Sequence, residues 1–503
     1  MSNLTIYNAL DAACTAEIRD SFWHMLDEGY QPAYDLTLKL FPVLTFMMTR
    51  GIKVDLAALE STRIDIINKT HEKQEELNKL VGRELNVNSP KQCQQYFYVE
   101  LGIAPYYKEG RVTIDDLALQ RLARGVAKRP GLPAARLVQE IRGLEKLHGT
   151  YLEIEFDNDG RMRCSYNPRG TKYGRLSSSK TIYGSGMNNQ NLPPEFKKFL
   201  VADEGYMLWE VDKRQAEWVV MAYLTGDANM IQVVESGQDT HIHTASLMFK
   251  ASKELIEMEG KAVGSSTDQE FIELMRADLG GDFTRWPRTM SARQCGKKSN
   301  HGLNYDEGPN QFGLINEIEQ TEAKRIVEMY HTIYPGIRLW YEHIKRQLQN
   351  GRVLTNCFGR RVRFMDQWGP DLWKGAYSML PQSTVVDSLN DGMCKIYGDD
   401  DITSTNGANI DILAQVHDSI LMQVPIPVAL SDGFAKLQQK VYDYVSPQLT
   451  YNGRTFTIAT DMKVGLNWGT FHKEQNPGGM REVKSVEELQ KALENLNVGA
   501  EPR

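Results

Sequence analysis

The spacing of apolar residues along the chain is mostly helical, with short alternating stretches between. Residues 1–30 read as one helix. Residues 35–82 read as a long helical stretch, broken at Arg50-Gly51-Ile52-Lys53-Val54-Asp55, which predicts a short strand or hairpin. Asn88-Ser89-Pro90 sets a capping side chain before a proline suited to a first helical turn, and the helix runs to about Leu101. Residues 115–152 are helical with a Pro/Gly break at 130–133, and 160–200, rich in Gly, Ser and Asn, read as loop and short strand. Tyr206–Asp212 is a mostly apolar strand ending in an acid. Helices are predicted at 215–225, 240–250, 291–304, from Tyr334-Pro335-Gly336 to about Asn350, and at 373–398. Hairpins are predicted for Arg352–Thr355 with Arg361–Phe364, and for Ile410–Gln415 with Ser419–Val424 around Val416-His417-Asp418. The tail after Phe471 ends in a short amphipathic helix, 483–496. Helices alternating with antiparallel hairpins predict an α+β fold rather than a doubly wound sheet.

Composition changes this picture little. The 503 residues carry a formal charge of 58 − 65 = −7, which excludes a uniformly basic nucleic-acid binder but leaves room for a local basic groove. The apolar run Trp218–Leu224 has seven residues, far short of the ~18 that span a bilayer. The N-terminus shows no cationic segment followed by an apolar one. These features predict no membrane association and a cytoplasmic location. Six scattered cysteines with no CxxC pair read as reduced thiols.

Three segments carry candidate chemistry. Asp212, at a strand end in Glu210-Val-Asp-Lys-Arg-Gln215-Ala-Glu217, reads as a metal ligand or a helix cap. His417-Asp418 occupies a turn between two strands, where a structural role is the common one. Arg293, Lys297 and His301 follow one another at intervals of four, with Tyr305 four further on, so a helix sets all four on one face. Stacked cations repel, so that face either meets solvent or grips an anion. Together, two aspartates and a basic face fit two-metal phosphoryl transfer on Mg²⁺, a hard cation that suits carboxylate oxygens. The chain has no GxxxxGK[ST] loop and no HRD…DFG set, which excludes the main support for Walker-type ATPases and protein kinases.

These segments resemble motifs A, B and C of the family A DNA polymerases, in the family's order. Gly174-Arg175-Leu176-Ser177-Ser178 with Asn188-Asn-Gln190-Asn191-Leu-Pro193 is similar to a palm segment of that family. Asn88–Gln92, Leu101-Gly-Ile103 and Arg142–Tyr151 resemble its thumb. Tyr334-Pro-Gly336, Gly359-Arg-Arg361 and Pro381-Gln382-Ser-Thr384 resemble later elements, so the likeness runs from about residue 35 to 471. It implies a right-hand fold with an antiparallel palm sheet, helical fingers and a helical thumb. The expected division is an exonuclease-like remnant at 1–32, thumb and base at 33–165, palm at 166–225 and 369–472, fingers at 226–368 with an insertion at 252–285, and a tail at 473–503.

The implied activity is template-directed DNA synthesis from dNTPs on primer-template DNA, in phage-type replication, with two Mg²⁺ ions for which Mn²⁺ substitutes. By resemblance Asp212 and Asp418 bind the metals, and Lys297 contacts the triphosphate and protonates the leaving pyrophosphate. Arg293, His301, His241, Gln215 and Tyr305 surround the nucleotide, and Glu217 is the steric gate against a 2′-hydroxyl. Arg142, Lys146, Arg175, Asn188, Asn191, Lys374, Gln382 and His417 hold DNA. The chain departs from the pattern at His301, where the family has Phe or Tyr, at Ser419, where it usually has glutamate, at Lys213, where it has tyrosine, and in the long segment 252–285, read as a surface insertion. Tyr7 and Asp11 resemble the third motif of the family's 3′–5′ exonuclease, implying a stub, no intrinsic proofreading, and a separate exonuclease subunit docking on outward apolar residues such as Ile6, Leu10, Phe22 and Leu26. The rival readings are a single-subunit RNA polymerase, which Glu217 opposes, and a non-catalytic DNA-binding replication factor.

Overall fold

The computed structural model describes residues 3–24, 28–126, 129–264, 266–316, 318–483 and 486–496. Helix α1, Asn3–Trp23, is shorter than the expected 1–30, and residues 4–24 all lie exposed. Trp23, its last residue, makes an edge contact with Tyr34, 5.3 Å between ring centres. Helix α2, Gln31–Arg50, ends at Gly51 in a positive-φ conformation (63°), and the predicted strand follows at Ile52–Val54. Helix α3, Leu56–Val81, and helix α4, Pro133–Lys146, pack together over a small core that includes Leu77, Phe97, Leu119, Val138 and Ile141. Ser89 caps its helix through the Gln92 amide (3.3 Å) with Pro90 behind it, as its spacing predicts.

Strand β1, Tyr206–Lys213, runs into helix α5, Ala216–Thr225. Next come α6, Thr240–Phe249, then α7, Lys253–Val263, and α8, Gln269–Leu279, the last two inside the segment 252–285. Helix α9, Ala292–Gly302, holds the basic face, and α10, Pro370–Tyr397, crosses the molecule. Strands β2, Asp411–Val416, and β3, Ser419–Pro425, form the predicted hairpin. Helix α11, Phe434–Val445, and strand β4, Thr460–Gly465, complete the centre. The four strands pair antiparallel in the order β2-β3-β1-β4, with Asp212 opposite Ser419 on one side and Asp461 on the other.

Strand alternation sorts the residues of β1 to two faces. Met207, Trp209 and Val211 join a core with α2, α10 and α11 that contains Leu44, Met47, Leu389 and Phe434. Leu208, Glu210 and Asp212 face the other way, so the apolar pattern on one side fixes the acids on the other. Strand β4 and the helices at Ala228–Glu235, Pro309–Asn316, Gln320–Ile333 and Phe434–Val445 escape the sequence reading. The β4 sequence, Thr-Asp-Met-Lys-Val-Gly, has little apolar alternation; it is a strand because β1 pairs with it. All six cysteines are free. Among the described residues no helix is long and apolar enough to cross a membrane.

Candidate active site

The two aspartates meet because β1 and the β2–β3 turn are in register. His417 adopts the left-handed region (φ 54°) that a two-residue hairpin turn requires, and Gln415 Nε2 donates to its carbonyl at 2.6 Å. The Lys213 amide donates to the Asp418 carbonyl at 3.1 Å, bringing Asp418 beside the end of β1. Asp212 and Asp418 line one cavity of about 390 Å³ together with Glu210, His417, Lys197 and Lys463. Burial, then the charges of Asp418 and Glu210, push Asp212 up to about 7. Burial likewise pushes Asp418 up. Asp461 faces the same side but is taken by Arg214, whose Nε lies 2.8 Å from it. Lys213 points to the opposite face, buried, and donates to Ser388 Oγ (3.1 Å) and to the Val445 carbonyl. Its side chain ties β1 to α10 and α11, and burial lowers its pKa to about 7. Hard carboxylate oxygens from two chain segments, both raised in pKa chiefly by burial, fit a divalent cation. Among the described residues no cage of three or more His, Cys, Asp or Glu is preformed.

The expected basic face forms on α9. Ser291 caps the helix through the Gln294 amide (3.2 Å). Lys297, His301 and Tyr305 line a second cavity with Lys374. Gly296 lets α6 lie close, since a Cβ there would sit 2.3 Å from the His241 carbonyl oxygen. That approach brings the His241 ring to 6.2 Å from His301 and puts its Nδ1 3.0 Å from Asn300. Burial lowers the His241 pKa to about 4, so the ring is neutral at pH 7. Arg293 lies 2.8 Å from Asp239, itself the cap of α6. Gln215 accepts from the Thr240 amide at 3.2 Å, tying the start of α5 to α6.

Glu217 joins the two halves. One of its oxygens accepts from Arg175 Nη2 at 2.5 Å and the other from the Tyr305 hydroxyl. Asn188 accepts from Ser178 Oγ (2.6 Å) and the Gln190 amide (2.9 Å), holding the loop from which Asn191 projects into solvent. Gln382 is half-buried on α10.

The sequence pattern that defines DNA polymerase family A matches residues 56–263 and 284–470. The chain belongs to that family. A thermostable DNA polymerase I of Thermus aquaticus is 27% identical over 456 residues, 85% of this chain and 47% of that protein. DNA polymerase I of Pseudomonas aeruginosa is 25% identical over 491 residues, 93% of this chain and 47% of that protein. The chain thus spans less than half the length of the curated relatives it matches. A solved POL domain from M. smegmatis, in complex with DNA primer-template and dNTP, superposes with a TM-score of 0.68 at 23% identity, covering 86% of this chain and 70% of that one. That likeness carries the fold: an α+β polymerase domain.

The family match skips 264–283, inside the segment read as an insertion. That segment is anchored from within. Glu259 and Arg276 form a buried pair at 2.6 Å, and Glu259 also accepts from the Ala292 amide at 3.0 Å, at the first residue of α9. At its outer edge Asp268 meets Arg136 of α4 at 3.2 Å. Arg142, expected on duplex phosphates, donates here to the Val87 (2.8 Å) and Ile114 (2.9 Å) carbonyls and so helps hold the small core around α3 and α4 together. Lys146, one turn on, is exposed. Tyr7 and Asp11 stand exposed on α1, as do Ile6, Leu10 and Phe22; Leu26 lies outside the described residues. Sequence reasoning passed over Glu210, Lys197, Lys463 and Trp468 of the acidic cavity. The strand parity of Glu210 with Asp212 is a local signal, whereas Trp468 has none.

Proposed function

We propose that the chain is a template-directed DNA polymerase that adds dNTPs to a primer 3′ end. The observation that carries this is Asp212 and Asp418 in one cavity, with Glu217 and Arg175 near enough to act on Asp418 electrostatically and Glu217 bonded to Tyr305 of the Lys297–His301 cavity. Asp212 and Asp418 would hold Mg²⁺, which when bound makes the primer hydroxyl more acidic and offsets charge on the phosphates. Lys297 and Arg293 grip the triphosphate, Arg293 exchanging Asp239 for phosphate oxygens, and Lys297 supplies a proton as pyrophosphate leaves. Glu217, fixed by two donors, fills the space a 2′-hydroxyl needs. The α3–α4 unit acts as thumb, the helices from α6 through α9 as fingers and the four-stranded sheet as palm, with Lys146, Lys374, Asn191 and Gln382 toward DNA.

We further propose that α1, with Leu4, Ile6, Tyr7, Leu10, Ile18 and Phe22 exposed, meets a separate 3′–5′ exonuclease. Tyr7 and Asp11 are not surrounded by a group of three or more potential ligands among the described residues. The test is primer extension by the pure chain. It should extend with dNTPs in Mg²⁺, incorporate rNTPs poorly and leave a mismatched 3′ end intact. Asp212→Ala and Asp418→Ala should each abolish extension while primer-template binding persists. Near-normal turnover in either variant overturns the two-aspartate reading, and efficient synthesis from rNTPs would favour an RNA polymerase.

A further inference from the structure

Glu210 lies two residues before Asp212 on β1, so its side chain shares the face of Asp212 and lines the same cavity. Its Oε1 accepts from Trp468 Nε1 at 3.0 Å. The Ser419 hydroxyl stands 3.4 Å from the same oxygen and 3.1 Å from the Val416 carbonyl, with one proton to share between them. Ser419 directly follows Asp418, so this contact ties β1 to the turn that carries the second aspartate. Trp468 ties the same carboxylate to the loop after β4, and Lys197 stacks over the Trp468 ring at 4.5 Å. Lys463 is the cross-strand partner of Glu210, yet among the described residues no cation closes an ion pair on Glu210 within 4 Å. The two side chains that hydrogen-bond Glu210, those of Trp468 and Ser419, are neutral, while Lys197 and Lys463 line the same cavity.

We infer that Glu210 is the positioning residue of the cation site: it sets the Asp418 turn against Asp212 through Ser419 and adds a third negative charge that tightens divalent-cation binding. This rests on Asp212 and Asp418 as the cation ligands. The charge arrives from β1 rather than from the residue after Asp418, where serine stands. A structural glutamate would matter for stability alone; a positioning one also sets cation affinity.

The test uses the full chain on a primer-template ended by a dideoxynucleotide with the next dNTP present, and titrates Mn²⁺ by electron paramagnetic resonance. Glu210→Gln keeps the shape and an acceptor for Trp468 but removes the charge. It should weaken Mn²⁺ binding roughly tenfold. In extension assays it should raise the Mg²⁺ needed for half-maximal rate by a similar factor, with kcat at saturating Mg²⁺ within about threefold. Glu210→Ala, which also frees the Ser419 turn, should lose kcat that added Mg²⁺ does not restore. Wild-type Mn²⁺ affinity in Glu210→Gln overturns the inference. Asp212→Ala and Asp418→Ala are the controls: if these too bind Mn²⁺ normally, it is the cation site itself that is misassigned.

Discussion

Glu217 shows how much one side chain decides. Its carboxylate is the common acceptor of Arg175, from the loop before β1, and Tyr305, from the end of the α9 segment. Removing it leaves a half-buried hydroxyl and part of a half-exposed guanidinium without their acceptor, each a loss toward the low end of the roughly 1–3 kcal/mol that an unsatisfied buried group costs. Glu217→Ala should therefore do two things: raise rNTP relative to dNTP incorporation tenfold or more, and lower dNTP efficiency as Tyr305 and Arg175 lose their anchor. Competition assays with matched dNTP and rNTP check this; an unchanged ratio removes Glu217 from sugar selection. At this scale the sequence is readable where a residue's role follows from its own motif. Asp212 lies at the end of its predicted strand, Asp418 in its predicted turn and Lys297 on its predicted helix. Arg142 also donates to two carbonyls 55 and 28 residues away, and nothing near it in sequence announces them.

Elements are legible where the period is clean and hidden where partners create them. The β2–β3 hairpin and α9 match their predicted spans closely, whereas β4 exists only by pairing with β1. The segment 252–285 is the instructive case. Its composition reads as surface, yet Glu259 and Arg276 are both buried. Arg276 further donates to the Pro287 (2.9 Å) and Met290 (3.1 Å) carbonyls, while Glu259 accepts from the first amide of α9. A carboxylate at a helix N-terminus offsets the helix dipole and satisfies an amide that has no partner within the helix. The segment is thus a footing for the helix that carries Arg293 and Lys297. Glu259→Ala leaves the Arg276 charge buried and unpaired, a loss of about 3–5 kcal/mol. Thermal unfolding should show it, together with a raised KM for dNTP. The double variant Glu259→Leu with Arg276→Met should recover much of the stability but less of the KM, since the α9 amide stays uncapped. Full recovery of both would reduce the pair to packing alone.

At the scale of the whole molecule, a net charge of −7 coexists with two separate cavities, one gathering Glu210, Asp212 and Asp418 and the other Lys297, Lys298 and Lys374. Composition could not reveal that division, because it arises from strand parity on β1 and helix spacing on α9. It has a consequence for pH. In metal-free buffer Asp212 titrates near 7, above its unfolded value of 3.8, so the folded state holds a proton that the unfolded chain has released. That stability is full below about pH 4 and is lost as pH rises to 7. His241 and His331, both lowered by burial from 6.5 to about 4, act oppositely. The unfolded chain binds their protons first, so their contribution is full above pH 6.5 and is lost as pH falls toward 4. A divalent cation bears on Asp212, and with it Asp418, but not on the two histidines, because binding requires ionised carboxylates. At pH 8 the site is charged and Mg²⁺ should raise the unfolding midpoint, by roughly 1 °C for each kcal/mol of binding in a chain of 503 residues. At pH 5 the cation must displace a proton, and the same Mg²⁺ concentration should shift the midpoint little. Asp212→Asn should unfold at a higher temperature than the parent at pH 8 without metal, since it carries no buried charge, and should lose the Mg²⁺ response at both pH values. Scanning calorimetry at pH 5 and 8, with EDTA or Mg²⁺, measures all of these. An equal Mg²⁺ shift at both pH values, or a shift that survives in Asp212→Asn, would place cation binding somewhere other than the acidic cavity.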